Sequence, residues 1–289
     1  MIKSRRRAAP RRETTSNDRA GAARARAMAL DLRMEELAAF DESLWREAGG
    51  LFAGLDEAGR GPLAGPVVAA AVVLPPGARL EGVDDSKALS PEQRQAARLE
   101  IERAALGIGI GIAGPRLIDS RNILQATLLA ARRAVEGLDC PVRLLMTDYL
   151  KLEGVGLPVR WEAQADQKSL SVAAASIIAK TTRDRMMIAY SQDYPGYGFE
   201  RNKGYGCPEH LKGLERLGPS TLHRMSFAGV SLFTEQARPS LSFDRLRALR
   251  EEGQAEAFRR EALSLLGRSD WPLVECERRQ VRQWLGAER

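Results

Sequence analysis

Hydrophobic positions along the chain follow two rhythms, and the switches between them mark most of the elements. Met34, Leu37, Phe40, Leu44 and Trp45 fall on one helix face, and Gly49 and Gly50 end that helix. Residues 1–30 carry no such stripe and predict a disordered tail. Residues 51–56 and 66–74 are short apolar runs around a Gly/Pro-rich turn, the pattern of a hairpin. Residues 91–105 read as a helix with Pro91 in its first turn, and residues 106–113 alternate Gly with Ile as a strand does.

Further on, residues 123–135 repeat at helical spacing, and residues 142–147 form an apolar strand that terminates in Asp148. Residues 158–164 supply another strand. A long helix follows over residues 168–190, and its start, residues 169–175, is almost all small side chains, which permit close approach to a sheet or a substrate backbone. Residues 196–206 form a Gly- and Tyr-rich loop, and a short helix starts at Pro208. Residues 240–289 read as two or three amphipathic helices. Strands interleaved with helices predict an α/β fold with a helical C-terminal part.

Charge divides the chain differently. Lys plus Arg number 44 and Asp plus Glu 38, a net charge of +6. Residues 1–27 hold Lys3, Arg5, Arg6, Arg7, Arg11, Arg12, Arg19, Arg24 and Arg26 against Glu13 and Asp18, which is +7 and leaves the remainder near −1. A nucleic-acid site in the folded part must therefore be a local groove, because overall charge does not draw phosphates to it. Cys140, Cys207 and Cys276 are odd in number and far apart, which argues against a disulfide framework and for a reducing, cytoplasmic setting. No apolar run reaches the roughly 18 residues of a membrane span. Cys207 and His210 form a C-x-x-H pair with no second close pair to complete a zinc site, and His210 and His223 read as structural.

Two features bear on chemistry. The glycines at 109, 111 and 114 match G-x-G-x-x-G formally, but they lie in a strand rather than after one, so flat packing explains them better than a dinucleotide. Asp56-Glu57 leaves the core at a strand end, where adjacent carboxylates raise each other's pKa unless a cation separates them. Hard oxygen donors point to Mg2+ or Mn2+. Gly59-Arg60-Gly61 follows, in which flanking glycines allow close backbone approach and the guanidinium suits a phosphate. Metal carboxylates beside a phosphate clamp suggest phosphodiester chemistry.

The run DEAGRGPLAGPVVAAAV at 56–72 resembles the opening of the ribonuclease HII family. DDSKAL at 84–89, Asp148, ADQKSLSVAAASIIAKTTRD at 165–184 and YGFERNKGYGCPEHLKGLERLGPSTLHRMSF at 197–227 resemble its later blocks in order, so the likeness spans about residues 50–231. It implies a ribonuclease H-like mixed five-stranded sheet flanked by helices, in a catalytic domain taken as residues 31–231; residues 232–289 lie beyond the likeness and are read from their own pattern as a helical extension. It also implies a catalytic set of Asp56, Glu57, Asp148 and Asp166, with metal on Asp56, Glu57 and Asp148. Gly59, Arg60 and Gly61 would meet the phosphates and the ribose 2′-hydroxyl, Lys87 a phosphate, and Tyr205 the neighbouring sugar. Lys180 is open between a phosphate contact and an ordinary ion pair. Cys207 stands where the family pattern has threonine.

The implied activity is endonucleolytic cutting of RNA in RNA–DNA hybrids, and 5′ of single ribonucleotides in duplex DNA, by a monomer that uses two divalent ions. Two rivals stand beside it at this point: a metal-independent carboxylate-pair hydrolase, and a non-catalytic module that grips nucleic acid through the tail and the Gly-Arg-Gly loop.

Overall fold

The computed structural model describes residues 16–80, 82–83, 89–231, 239–268, 273 and 275–287. Helix α1 (Ser16–Ala48) leads into the hairpin β1 (Phe52–Ala58) and β2 (Val67–Val73). After α2 (Pro91–Ala104) come β3 (Gly107–Ala113), α3 (Pro115–Glu136), β4 (Leu144–Asp148) and β5 (Val159–Glu162). A 3-10 turn, Ala165–Gln167, precedes α4 (Leu170–Asp193), which is followed by α5 (Phe199–Asn202) and α6 (Pro208–Leu217). The chain closes with α7 (Leu241–Glu251), α8 (Ala255–Gly267) and α9 (Glu275–Ala287).

The strands form one mixed sheet in the order β3-β2-β1-β4-β5. β1, β2 and β3 pair antiparallel, while β4 runs parallel to β1 and β5 parallel to β4. Both faces are covered, which explains why the strands read as continuous apolar runs. Ala53, Leu55, Ala69, Ala71 and Leu145 meet Ile118, Ala126, Ala130 and Ala134 of α3. On the opposite face Ala70 and Val72 meet Ala173, Ala174 and Ile177 of α4, with α1 and α2 outside them. This is the ribonuclease H-like sheet with flanking helices and a helical C-terminal region that the sequence predicts.

Small residues set the depth of both layers. A Cβ on Gly109 or Gly111 would lie 1.8 Å from the Ala134 carbonyl oxygen or 1.9 Å from that of Ala130, so these glycines let α3 lie flat on β3. Gly54 plays the same part for α4, since a Cβ there would lie 2.3 Å from the Ser171 carbonyl carbon. The start of α4 is fixed by Asp41 of α1, which accepts hydrogen bonds from the Ser169 and Ser171 hydroxyls (2.5 and 2.7 Å) and the Ser171 N–H (2.9 Å). A buried carboxylate at a helix N-terminus satisfies its free N–H groups and opposes its dipole.

Two element boundaries differ from the sequence reading. Helix α1 begins at Ser16, so the expected disorder is corrected over residues 16–30. That stretch has no apolar stripe but is rich in Ala, Arg, Met and Leu, which have high intrinsic helix propensity. Helix α3 spans Pro115–Glu136 with a break at Asn122 (φ 65°), so the segment after the break coincides with the helix expected over residues 123–135 and the turns over residues 115–121 are added to it. The Asn122 side chain accepts from the Gln125 N–H at 3.0 Å and so caps the second half as a new helix. Among the described residues, no helix is long and apolar enough to cross a membrane.

The three C-terminal helices have a core of their own, made of Leu246, Phe258, Ala262, Leu265, Leu273 and Val281. Glu277 ties them to the body. Its carboxylate accepts from the Ser240 N–H and hydroxyl, both at 2.8 Å, and from the Tyr194 hydroxyl at 3.3 Å.

Candidate active site

The carboxyl ends of β1 and β4 place acidic residues side by side. Leu55 pairs with Thr147 across the parallel ladder, so Asp56 and Asp148 follow as neighbours. Gly54 lies against α4, as does Met146 beside Val172, and the two-residue period of a strand turns Asp56 and Asp148 to that same face. Asp148 is in register with Glu162 of β5, and its Oδ1 accepts the Ala165 N–H at 3.0 Å. That bond anchors the 3-10 turn carrying buried Asp166. Residues far apart in sequence thus converge where the sheet opens.

The electrostatics of this cluster oppose ionisation at its centre. Burial pushes the Asp56 carboxyl well above the usual carboxylate range, and the charges of Glu57 and Asp148 add to the shift. Hydrogen bonds from Ser176 of α4 and from the Glu57 backbone offset it in part. Carboxylates that raise one another's pKa suit a hard divalent cation, which would relieve the repulsion. Among the described residues, no three His, Cys, Asp or Glu side chains stand close enough to cage an ion as they are. Joint coordination therefore requires these side chains to adjust around the ion.

Next to the acidic cluster, the turn after β1 presents Arg60, whose side chain is 47% exposed and whose Nη1 lies 3.2 Å from Glu57 Oε1. Gly59 has φ +96°, a conformation that L side chains rarely adopt, and a Cβ there would lie 2.1 Å from Arg183 Nε. Gly61 lies against the Tyr205 ring, at 3.9 Å from its Cε1 to an ideal Cβ. Tyr205 is 47% exposed. Lys87 lies outside the described residues. Lys180 pairs with Asp184 at 2.7 Å, the ion-pair alternative of the two the sequence left open.

Two residues the sequence reading did not single out hold this loop from beneath. Arg224 is fully buried and donates to the carbonyls of Gly65 (3.0 Å), Arg60 (2.8 Å), Gly59 (2.5 Å) and Pro66 (3.2 Å). Arg183 donates to Pro66 (2.9 Å), Ala64 (3.0 Å) and Lys203 (2.9 Å). Burial pulls Arg183 down to about 10 and Arg224 to about 9, so both stay cationic at neutral pH. Their polar sequence surroundings, Thr181-Thr182-Arg183-Asp184 and His223-Arg224, carry no signal of burial, which depends on the fold.

The Tyr205 loop has a second support. The Ser220 N–H donates to His223 Nδ1 at 2.9 Å, so in neutral His223 the proton sits on Nε2. That proton is donated to His210 Nε2 at 3.0 Å, which leaves His210 protonated at Nδ1 and donating to the Tyr205 carbonyl oxygen at 2.9 Å. Burial lowers both histidines, His223 to about 3, so the relay stays neutral. Cys207 is the N-cap of α6, and its side chain makes no capping hydrogen bond.

Comparison with known proteins decides the family. A family profile described as ribonuclease HII matches residues 53–230. The chain belongs to the ribonuclease HII family. It is 49% identical over 200 residues to the ribonuclease HII of Geobacter metallireducens, covering 69% of this chain and 94% of that protein. It is 55% identical over 183 residues to that of Geobacter sulfurreducens, covering 62% and 82%. In three dimensions it resembles the ribonuclease H2 of Pyrococcus horikoshii OT3, with a TM-score of 0.56, 28% identity, and coverage of 63% of this chain and 96% of that one. As a member of the ribonuclease HII family the chain is an endoribonuclease of the ribonuclease H type, which removes the glycosidase-like and non-catalytic rivals.

Proposed function

We propose that this endoribonuclease hydrolyses the RNA strand of RNA–DNA hybrids and also cuts 5′ of single ribonucleotides embedded in duplex DNA. The products are a 5′-phosphate and a 3′-hydroxyl. The observation that carries the reading is the meeting of Asp56 and Asp148 at adjacent strand ends, with burial and the Glu57 charge holding Asp56 far above its ordinary pKa.

Asp56, Glu57 and Asp148 would hold two divalent ions, Mg2+ or Mn2+, with Asp166 completing the catalytic set. When bound, the ions supply activation of water and neutralisation of charge on the scissile phosphate and leaving oxygen. Ser176 and the Glu57 backbone orient the Asp56 carboxylate. Arg60, poised at Glu57, contributes a two-pronged phosphate contact, and the absence of side chains at Gly59 and Gly61 admits the substrate backbone and the 2′-hydroxyl, the group that distinguishes RNA from DNA. Tyr205 packs on the sugar following the cut ribonucleotide, and Lys87 is assigned to a phosphate on sequence likeness alone. The enzyme is proposed to act as a monomer.

A duplex with one embedded ribonucleotide tests the assignment. Asp56→Asn is expected to abolish cutting while binding survives, and EDTA should stop the parent enzyme until Mg2+ or Mn2+ is restored. An active Asp56→Asn enzyme rejects Asp56 as a metal ligand.

A further inference from the structure

Among the described residues, the aromatic side chains that stand exposed are Tyr149, Trp161 and Tyr205. Tyr205 belongs to the site above. The other two sit on the strand ends that carry Asp148 and Glu162, and nothing in the proposed reaction uses them. We propose that Tyr149, Trp161 and Lys151 form an auxiliary stacking site for a nucleobase of the substrate flanking the cut.

The arrangement is built rather than incidental. Tyr149 follows Asp148 directly, is 71% exposed and adopts a left-handed backbone (φ 53°) that bulky residues rarely tolerate. Its N–H donates to the Glu162 carbonyl at 2.9 Å, which locks that conformation to the end of β5. Strain of this kind survives where the surroundings enforce it, and it gathers at binding sites. Trp161, 43% exposed, meets Tyr149 edge to face at 6.1 Å between ring centroids, with planes at 88°. The Lys151 ammonium lies 4.6 Å from the Trp161 ring centroid.

The chemistry selects the occupant. Aromatic rings joined to a cation favour a base with its phosphate, because every base offers a π-face and each phosphate a negative charge. An aliphatic partner face would be matched by leucines, and Leu150 and Leu152, which flank Lys151, are buried. Glu162, the acid nearest in register, is already compensated by Arg160 and Lys168, each at 2.9 Å, so it does not repel an incoming strand. The patch is joined to the candidate active site through the backbone, since Tyr149 follows Asp148 directly and its N–H is bonded to Glu162, the register partner of Asp148. The inference rests on the reading that the scissile phosphate lies at Asp148.

The test uses the full chain in EDTA, so that binding is seen without cutting. Fluorescence anisotropy on a labelled duplex with one ribonucleotide should show about tenfold weaker binding for Tyr149→Ala/Trp161→Ala, the size of one lost base stack. Tyr149→Phe/Trp161→Phe should bind like the parent. 2-Aminopurine moved one position at a time along the substrate should be quenched at one or two neighbouring positions in the parent and at none in the double alanine variant. Unchanged affinity together with no position-specific quenching overturns the proposal, as does a change in oligomeric state in place of a change in nucleic-acid affinity. Asp148→Asn separates the two readings: it should lose cutting and keep the quenched position. Full cutting by Asp148→Asn sinks the placement of the scissile phosphate at Asp148, whereas a parent enzyme that cuts but quenches at no position sinks the stacking site.

Discussion

Two charged regions lie within one turn of each other, and they resolve burial in opposite ways. Beneath the Gly59–Arg60–Gly61 loop, Arg183 and Arg224 are buried cations whose donors are met by backbone carbonyls. At the strand ends, Asp56 is a buried acid whose neighbours Glu57 and Asp148 make its charge less welcome. The first region is a finished structure that needs nothing from outside. Under the proposed function the second is completed by incoming cations, the contrast expected between a residue that positions and a residue that reacts.

Removing the charge at Asp56 should separate the two regions most sharply. Asp56→Asn is expected to reduce cleavage to background, yet to raise the metal-free Tm. The sign follows from the raised carboxyl: without metal, the native state keeps a proton that the unfolded chain releases above about pH 3.9, so stability falls as pH rises from there through the raised value. Calorimetry in EDTA from pH 4 to 8 should show a gap between parent and variant that widens with pH. A lower metal-free Tm in the variant would mean that the carboxylate is structurally satisfied.

Arg224 should behave in the opposite sense. Arg224→Met leaves several buried carbonyls without donors, and roughly 3–5 kcal/mol of stability should be lost in urea denaturation, with Arg224→Lys a poor rescue because the planar fork is gone. A loss below about 1 kcal/mol would show that the loop stands without its clamp.

A smaller effect comes from the histidine relay under Tyr205. His223 is lowered to about 3 and His210 is lowered too, both chiefly by burial, so the unfolded chain takes up protons that the native state refuses. Stability is full above about pH 6.5 and is lost as pH falls toward the folded values, at about 1.4 kcal/mol per histidine for each pH unit. His223→Gln should flatten that acid limb in a pH series of unfolding midpoints.

The mildest change is Cys207→Thr. It supplies a hydroxyl to an N-cap that now has no side-chain bond, and a gain of about 1 kcal/mol is expected, read as a shift in the urea midpoint.

The sequence revealed these regions unequally. Periodicity located the sheet strands and the long α4, because alternation and small-residue runs are local properties of the chain. It also read Gly109 and Gly111 as packing glycines, and both lie directly against the backbone of α3. The start of α1 was missed because helix propensity without an apolar face leaves no stripe to detect. The turns of α3 before Asn122 were missed because residues 115–121 are too short a run to show a helical repeat. Asp56 and Glu57 were visible as a pair, whereas Asp148 and Asp166 look like ordinary loop and turn residues until the family's blocks align around them. Arg183 and Arg224 could not be found at all, because what makes them special is the set of carbonyls folded around them.

Gly54 shows how far the consequences of one missing methyl can travel. Any side chain there would lever the first turns of α4 off β1, and α4 also carries Ser176, the hydroxyl that steadies Asp56. In a saturation screen, position 54 should therefore score as intolerant as the carboxylates themselves while never touching nucleic acid. A map of dead variants would draw the catalytic centre larger than it is, and only purified protein assayed for fold would tell the hinge from the blade.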